Sequence, residues 1–208
     1  MKSTLFAVAA LVSSLVTASA YADVVKLDGG IAYSTTSYEV GGMGGGRGIG
    51  FKANDSFSTS AVGIDVSLIG NANASPYQFQ LYSSTDGHTA GTLLKTATFS
   101  FNLGNGYQDA AFAYDFQKNT YYVLNFLSAV NQLGSVGTMY SWEGSSPINY
   151  GIVSVIDGFE GANPSNYNPL IPHMRLTTAA SADVPEPGTV VLMGLALVGF
   201  AARRKTRR

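Results

Sequence analysis

The chain has 208 residues, no cysteine and only 12% charged residues, against 24 glycines, 12 Tyr and 11 Phe. Without cysteine, thiol catalysis, Cys-ligated zinc and thiol lipidation are excluded, and the core must hold without disulfides. Six of the twelve cationic residues lie outside residues 23–187, which keep all 13 acidic ones and a net charge of −7; such a domain repels phosphate backbones, so no nucleic-acid partner is expected.

Both ends read as addressing segments, to be set aside before the fold is considered. Lys2 precedes an apolar run over residues 5–16, and both Ala18-Ser19-Ala20 and Ala20-Tyr21-Ala22 fit the small-x-small rule of signal peptidase. Cleavage after Ala22 opens the mature chain on polar Asp23, so residues 1–22 are expected to be a removable signal helix. The apolar run is shorter than the roughly 20 residues of a spanning helix.

Taken in order, Val24–Leu27 and residues 31–34 suit short edge strands. The glycine run over residues 41–50 predicts a flexible loop. Within it, Gly48-Ile49-Gly50-Phe51-Lys52-Ala53 matches the loose G-x-G-x-x-A spacing, but glycines precede it and Asn54-Asp55-Ser56 follows. A dinucleotide loop needs a strand before and a helix after, so no cofactor is expected. Val62, Ile64, Val66 and Leu68 then alternate with Gly63, Asp65 and Ser67, the pattern of a half-buried strand. Tyr77, Phe79 and Leu81 repeat that pattern, as do Phe99, Phe101 and Leu103, and then Phe112, Tyr114 and Phe116. Lys118-Asn119 predicts a turn, and residues 121–127 are apolar on both faces except Asn125, the mark of a central strand. Weaker strand signals follow at residues 138–142, 148–156 and 173–177, with a Pro/Asn-rich loop over 158–172. Short strands, frequent turn signals and no convincing helix predict an all-β fold, a jelly-roll-like β-sandwich over residues 23–177.

Residues 178–183 form a small-residue linker, followed by Val184, Pro185, Glu186 and Pro187, an apolar stretch over 189–202, and the basic cluster Arg203, Arg204, Lys205, Arg207 and Arg208. Two prolines hold the backbone extended, which suits reading by a membrane-embedded protease. The apolar stretch gives roughly 22 Å of helix against a hydrocarbon core of about 30 Å, a short transmembrane helix. By the positive-inside rule the basic cluster stays cytoplasmic and the domain faces outward. Extended Pro-Glu-Pro, a short apolar helix and a terminal basic cluster, in this order over residues 184–208, closely resemble the PEP-CTERM sorting signal. The resemblance implies a Gram-negative bacterium that makes exopolysaccharide. It also implies an inner-membrane-anchored precursor, an exosortase that removes the tail, and a product at the cell surface or outside the cell.

Residues 56–142 resemble the choice-of-anchor domains found in front of such tails. The resemblance rests on Phe79-Gln80-Leu81-Tyr82-Ser83, on Thr120-Tyr121-Tyr122-Val123-Leu124, and on the loop His88-Thr89-Ala90-Gly91-Thr92-Leu93-Leu94, where Ala90 replaces the family's proline. It implies a fold and a location but no reaction.

Chemistry is sparse. His88 and His173 read as solvated loop histidines, and no Gly-x-Ser-x-Gly elbow accompanies them. Of the carboxylates Asp65, Asp109, Asp115, Glu143, Asp157 and Glu160, only Asp157-Gly158-Phe159-Glu160 and Trp142-Glu143 set acids beside aromatics, and turn chemistry accounts for Asp157-Gly158. A calcium site around Asp86 or Asp157 has no spacing signature behind it. No catalytic, cofactor or metal site is therefore expected. Trp142 and Tyr140, with Tyr150 and Tyr167, fall in or beside late loops where aromatic faces can stack on sugar rings, so Trp142 and Tyr140 are the candidate glycan contacts. The expected function is that of an exported, non-enzymatic surface or matrix protein associated with exopolysaccharide. Its expected partners are signal peptidase, an exosortase and extracellular polysaccharide. The alternatives are a carbohydrate-binding module and a polysaccharide hydrolase or lyase.

Overall fold

Alternation in the sequence becomes strands in space. The computed structural model describes residues 22–28, 38–39, 45–69, 76–100, 106–129, 136–142, 147–161, 167–168 and 170–179. Among the described residues there are strands and no helix. In chain order they are β1 (Val24–Leu27), β2 (Tyr38–Glu39), β3 (Gly46–Ala53), β4 (Phe57–Ile69) and β5 (Tyr77–Ser84). Next come β6 (Leu93–Phe99), β7 (Gly106–Phe116), β8 (Tyr121–Ser128), β9 (Val136–Thr138) and β10 (Tyr140–Trp142). The last five are β11 (Ile148–Asn149), β12 (Val153–Glu160), β13 (Tyr167–Asn168), β14 (Leu170–Pro172) and β15 (Met174–Thr178).

The strands form two large sheets and one small one, with every pairing antiparallel. The first sheet runs β1-β15-β4-β9-β2, with β7 on the other edge of β4. The second runs β11-β12-β3-β8-β5-β6, with β13 added to β12. The third is the pair β10-β14.

One core joins the two large sheets. The apolar faces of β4 (Val62, Ile64, Val66) and β15 (Met174, Leu176) share a buried cluster with those of β3, β5 and β8. Aromatic rings connect the sheets directly. Phe116 of β7 meets Phe51 of β3 at 5.6 Å and Tyr122 of β8 at 5.0 Å, both edge-on. Such pairs add about 0.5–1.5 kcal/mol each beyond the area they bury. As the residue pattern predicts, β8 is central, with β3 on one side and β5 on the other. The Lys118-Asn119 turn also forms, with Asn119 in the left-handed region at φ 59°.

Three expectations are corrected. Residues 46–50 of the glycine run are not a loop but half of β3, a buried strand between β12 and β8. Ile49, Phe51 and Ala53 supply its core face, while Gly46, Gly48 and Gly50 fall on the other face, where a folded-over loop lies. A Cβ on Gly50 would strike the backbone carbonyl of Gly87. Residues 41–44 lie outside the described residues. The strand expected at Phe99, Phe101 and Leu103 ends at Phe99 and begins at Leu93, and residues 101–105 lie outside the description. Its first residues, Leu93 and Leu94, are both exposed, so no alternation announces them. The loop expected over residues 158–172 is partly strand, since β12 continues to Glu160 and Leu170–Pro172 is β14.

Residues Ala22–Ala179 form one compact unit. The expected signal helix and transmembrane helix lie outside the described residues. Among the described residues no helix is long and apolar enough to cross a membrane.

Candidate functional site

Among the described residues, two polar assemblies gather the histidines and their partners. The first is the loop between β5 and β6, folded over β3 and β12. Asp86 organises it, its Oδ1 accepting from the backbone N–H groups of His88 at 2.8 Å and Thr89 at 3.0 Å. Those hydrogen bonds, that of His88 foremost, hold the Asp86 carboxyl below the usual range. Gly87 then turns the chain at φ 83°, and the His88 ring meets the buried Asp157 carboxylate. Burial pushes the Asp157 carboxyl up, opposed by its contact with His88. His88 thus clasps the loop to β12 through a side-chain hydrogen bond, beyond the solvated role its sequence suggests.

The same strand separates the two acids a hydrolase would need. After a bulge between Val155 and Asp157, Asp157 stands opposite Gly50 and Phe159 opposite Gly48, whereas Glu160 stands opposite Arg47. Successive side chains on a strand point to opposite faces, so Asp157 and Glu160 do not straddle one bond. Glu160 is instead held by the Arg47 guanidinium at 3.0 Å and by the Asn168 side-chain amide.

The second assembly is a fork in the first sheet. Along one edge of β4 the neighbour changes from β15 to β9 at Asp65. There three segments of the chain close a ring of backbone hydrogen bonds: Asp65 N–H to His173 at 2.9 Å, His173 N–H to Met139 at 2.8 Å, and Met139 N–H to Asp65 at 2.9 Å. Beyond the ring the chain continues into β10 and β14. The Ser141 hydroxyl of β10 lies 2.8 Å from His173 Nε2. Across β4, Tyr107 of β7 is paired in register with Asp65. The Arg175 guanidinium lies 4.4 Å from the Tyr107 ring centre and reaches on to Asp109, its Nε donating to Oδ1 at 2.8 Å. Gly63 makes room for that bridge, because a Cβ there would strike the Asp109 carboxylate and stand 3.1 Å from Arg175 Nε.

Partial burial sets the electrostatics of the fork. Desolvation holds the His173 imidazole below its ordinary value, against the opposing pull of Asp28 and Asp65. Desolvation likewise raises the Asp65 carboxyl, countered by His173, Lys26 and Arg175. The Tyr107 hydroxyl is pushed up by burial and by the nearby Asp65 and Asp28 carboxylates. Ser141 is 1% exposed, so this Ser–His pair has no open path for a substrate carbonyl.

The candidate glycan contacts flank Ser141 on β10. Tyr140 is 8% exposed and offers no open ring face. Trp142 pairs through its backbone with Leu170, and its side chain lies outside the described residues, as does that of Tyr167. The Tyr150 hydroxyl donates to Asp28 at 3.3 Å. Glu143, Val184, Pro185, Glu186 and Pro187, and the basic cluster from Arg203 to Arg208, lie outside the description. Among the described residues no three acidic or histidine side chains gather as a metal site. The fork was missed in the sequence because its side chains come from four strands, and the Ser141–His173 pair spans 32 residues. Only the polar outer positions Gly63 and Asp65, set between Val62, Ile64 and Val66, hinted that this face carries something.

The described residues thus define a sandwich-like, all-β protein with a self-contained core. Residues 183–205 match the PEP-CTERM protein-sorting motif. That motif implies an exported chain, anchored by its C-terminus as a precursor and processed by an exosortase. No curated protein matches the chain.

Proposed function

We propose that this protein is a non-enzymatic component of the cell surface or extracellular matrix of a Gram-negative bacterium, associated with its exopolysaccharide. A signal peptide sends it out, the tail holds it in the inner membrane, and an exosortase sets the domain free. The observation that carries this reading is the sorting motif over residues 183–205, placed directly behind a closed β-domain. Two features of the domain support the non-enzymatic part. The Ser141–His173 pair is sealed by the burial of Ser141, and Asp157 and Glu160 occupy opposite faces of β12. The body is taken as a jelly-roll-like sandwich of the choice-of-anchor kind, a scaffold rather than a reaction centre.

The test separates the two halves of the tail. Replacing Pro185, Glu186 and Pro187 by alanine is expected to leave export and insertion intact while uncut precursor accumulates in the membrane fraction. Replacing Arg203, Arg204, Lys205, Arg207 and Arg208 by serine is expected to misorient the tail, since each basic residue near an anionic leaflet contributes about 1 kcal/mol. Blots of membrane and surface fractions read both outcomes. An alanine variant trimmed and released like wild type would show that the segment is not the sorting signal in use.

A further inference from the structure

The fork holds more hydrogen-bonding capacity than it uses. Within the described residues the Asp65 carboxylate and the Tyr107 hydroxyl make no hydrogen bond, and His173 uses only one ring nitrogen, toward Ser141. All three groups are partly buried and belong to one outer face. Asp65 and Tyr107 face each other across the β4–β7 register, and His173 adjoins Asp65 through its backbone. The Lys26 ammonium stands 5.9 Å from the Tyr107 ring centre, and Arg175 is already committed to Asp109. Each of these groups is only partly buried and still reaches water, so a ligand can take the place of that water and bond all three from one side.

The chemistry of these groups narrows the ligand. An anion is disfavoured by the carboxylates of Asp28 and Asp65, which already push the Tyr107 hydroxyl up. A cation held by several ligands finds no three acidic or histidine side chains gathered among the described residues. What remains is one acceptor-only carboxylate, one phenol that both donates and accepts, and one free nitrogen on a neutral imidazole. Adjacent hydroxyl groups, each donating and accepting once, match that set. We propose that the fork at Asp65, Tyr107 and His173 binds a sugar residue through a vicinal pair of its hydroxyls. This rests on the reading that the protein associates with exopolysaccharide, and it places the contact on the face beside β10 rather than on the Tyr140 ring.

The test is retention of the released protein on the producer's own insoluble exopolysaccharide. Asp65→Asn and Tyr107→Phe are each compared with wild type and with Asp55→Asn, which touches only the exposed Lys118 pair. Thermal melts check that each variant is folded. Tyr107→Phe keeps the ring against Arg175, so it tests the hydroxyl even if Asp65→Asn unfolds. Asp65→Asn is expected to bind about tenfold more weakly, the effect of weakening a hydrogen bond to a charged group, and Tyr107→Phe about fivefold, the effect of losing a neutral one, while Asp55→Asn binds like wild type. Polymer whose vicinal diols have been cleaved by periodate and reduced is expected to lose wild-type retention as well. Full binding by both fork variants overturns the site and leaves the matrix reading standing. Equal retention of oxidised polymer overturns the ligand class. Wild type that is sorted and trimmed but never retained overturns the polysaccharide association together with this site. Release of new reducing ends would make the fork a reaction centre and overturn the binding role.

Discussion

Single residues decide whether the outer layers can close. Gly50 is the clearest case, because the backbone of Gly87 rests where a side chain would be. In a flexible loop, replacing glycine by valine is neutral, and in an ordinary strand it is favourable by up to about 1 kcal/mol. Here the sign reverses. Gly50→Val is expected to destabilise the domain by about 3 kcal/mol, the upper end of what overpacking costs, and to free the loop that carries His88. Urea unfolding reads this directly, and an unchanged midpoint would show that the 85–92 loop does not rest on β3. Gly63 works by the same logic, its missing side chain letting Arg175 cross to Asp109.

At the scale of elements, the fork ties β4, β9, β10, β14 and β15 together and makes their stability depend on pH. His173 has a folded-state affinity for protons below that of an exposed histidine, through desolvation. The unfolded chain therefore binds more protons as pH falls below the ordinary value of 6.5, and stability drops with it. Asp65 acts in the opposite direction. Its raised carboxyl takes up a proton in the folded state before the unfolded one does, so acidification between its raised value and 3.8 relieves a strain. His173→Gln is expected to shrink the fall in melting temperature between pH 7.5 and 5.5, and Asp65→Asn to enlarge it, because it removes a carboxylate charge that pulls the His173 imidazole up. Melts of both variants at the two pH values check the pair of signs, and a His173→Gln profile parallel to wild type would remove His173 from the account. Elsewhere in the fold, edge strands are guarded by charge. Lys95 of β6 turns inward, 5.5 Å from the Phe112 ring centre, and β7 carries exposed Asp109 and Asp115. Both devices discourage a second copy from pairing with an open edge.

At the scale of the whole molecule, the two ends of the described unit lie side by side. The Asp23 N–H donates to the Thr178 hydroxyl at 2.8 Å, and the Thr178 N–H donates to the Asp23 carbonyl at 2.8 Å. The first residue expected after leader removal and the last residue of β15 therefore lie side by side at one end of the β1–β15 pair. A circular permutant joining Ala179 to Asp23 through a short Gly/Ser turn, reopened between the exposed Lys118 and Asn119, is expected to fold and unfold cooperatively. An antiparallel pair is closed by as little as a two-residue turn. Circular dichroism and urea unfolding of the permutant check this, and a chain without cooperative unfolding would show that β1 and β15 cannot be joined in this way.

The sequence by itself determined the parts whose information is local. Alternation at i and i+2 marked Val62, Ile64 and Val66, and then Tyr77, Phe79 and Leu81, as core faces, since strand periodicity needs no knowledge of partners. The apolar run of β8, broken only at Asn125, announced a strand buried on both faces. The sorting tail is a linear signal of proline, apolar length and terminal charge, legible without a fold. Tertiary structure alone decided the rest. Glycines in β3 read as flexibility until Gly87 is seen resting on Gly50, because a missing side chain says nothing about what will occupy its place. Asp157 and Glu160 look like a carboxylate pair until strand parity sends them to opposite faces. Asp65, Tyr107, Ser141 and His173 are unremarkable one by one. They become a site only where β4 changes neighbours, and that change is set by pairing between strands far apart along the chain.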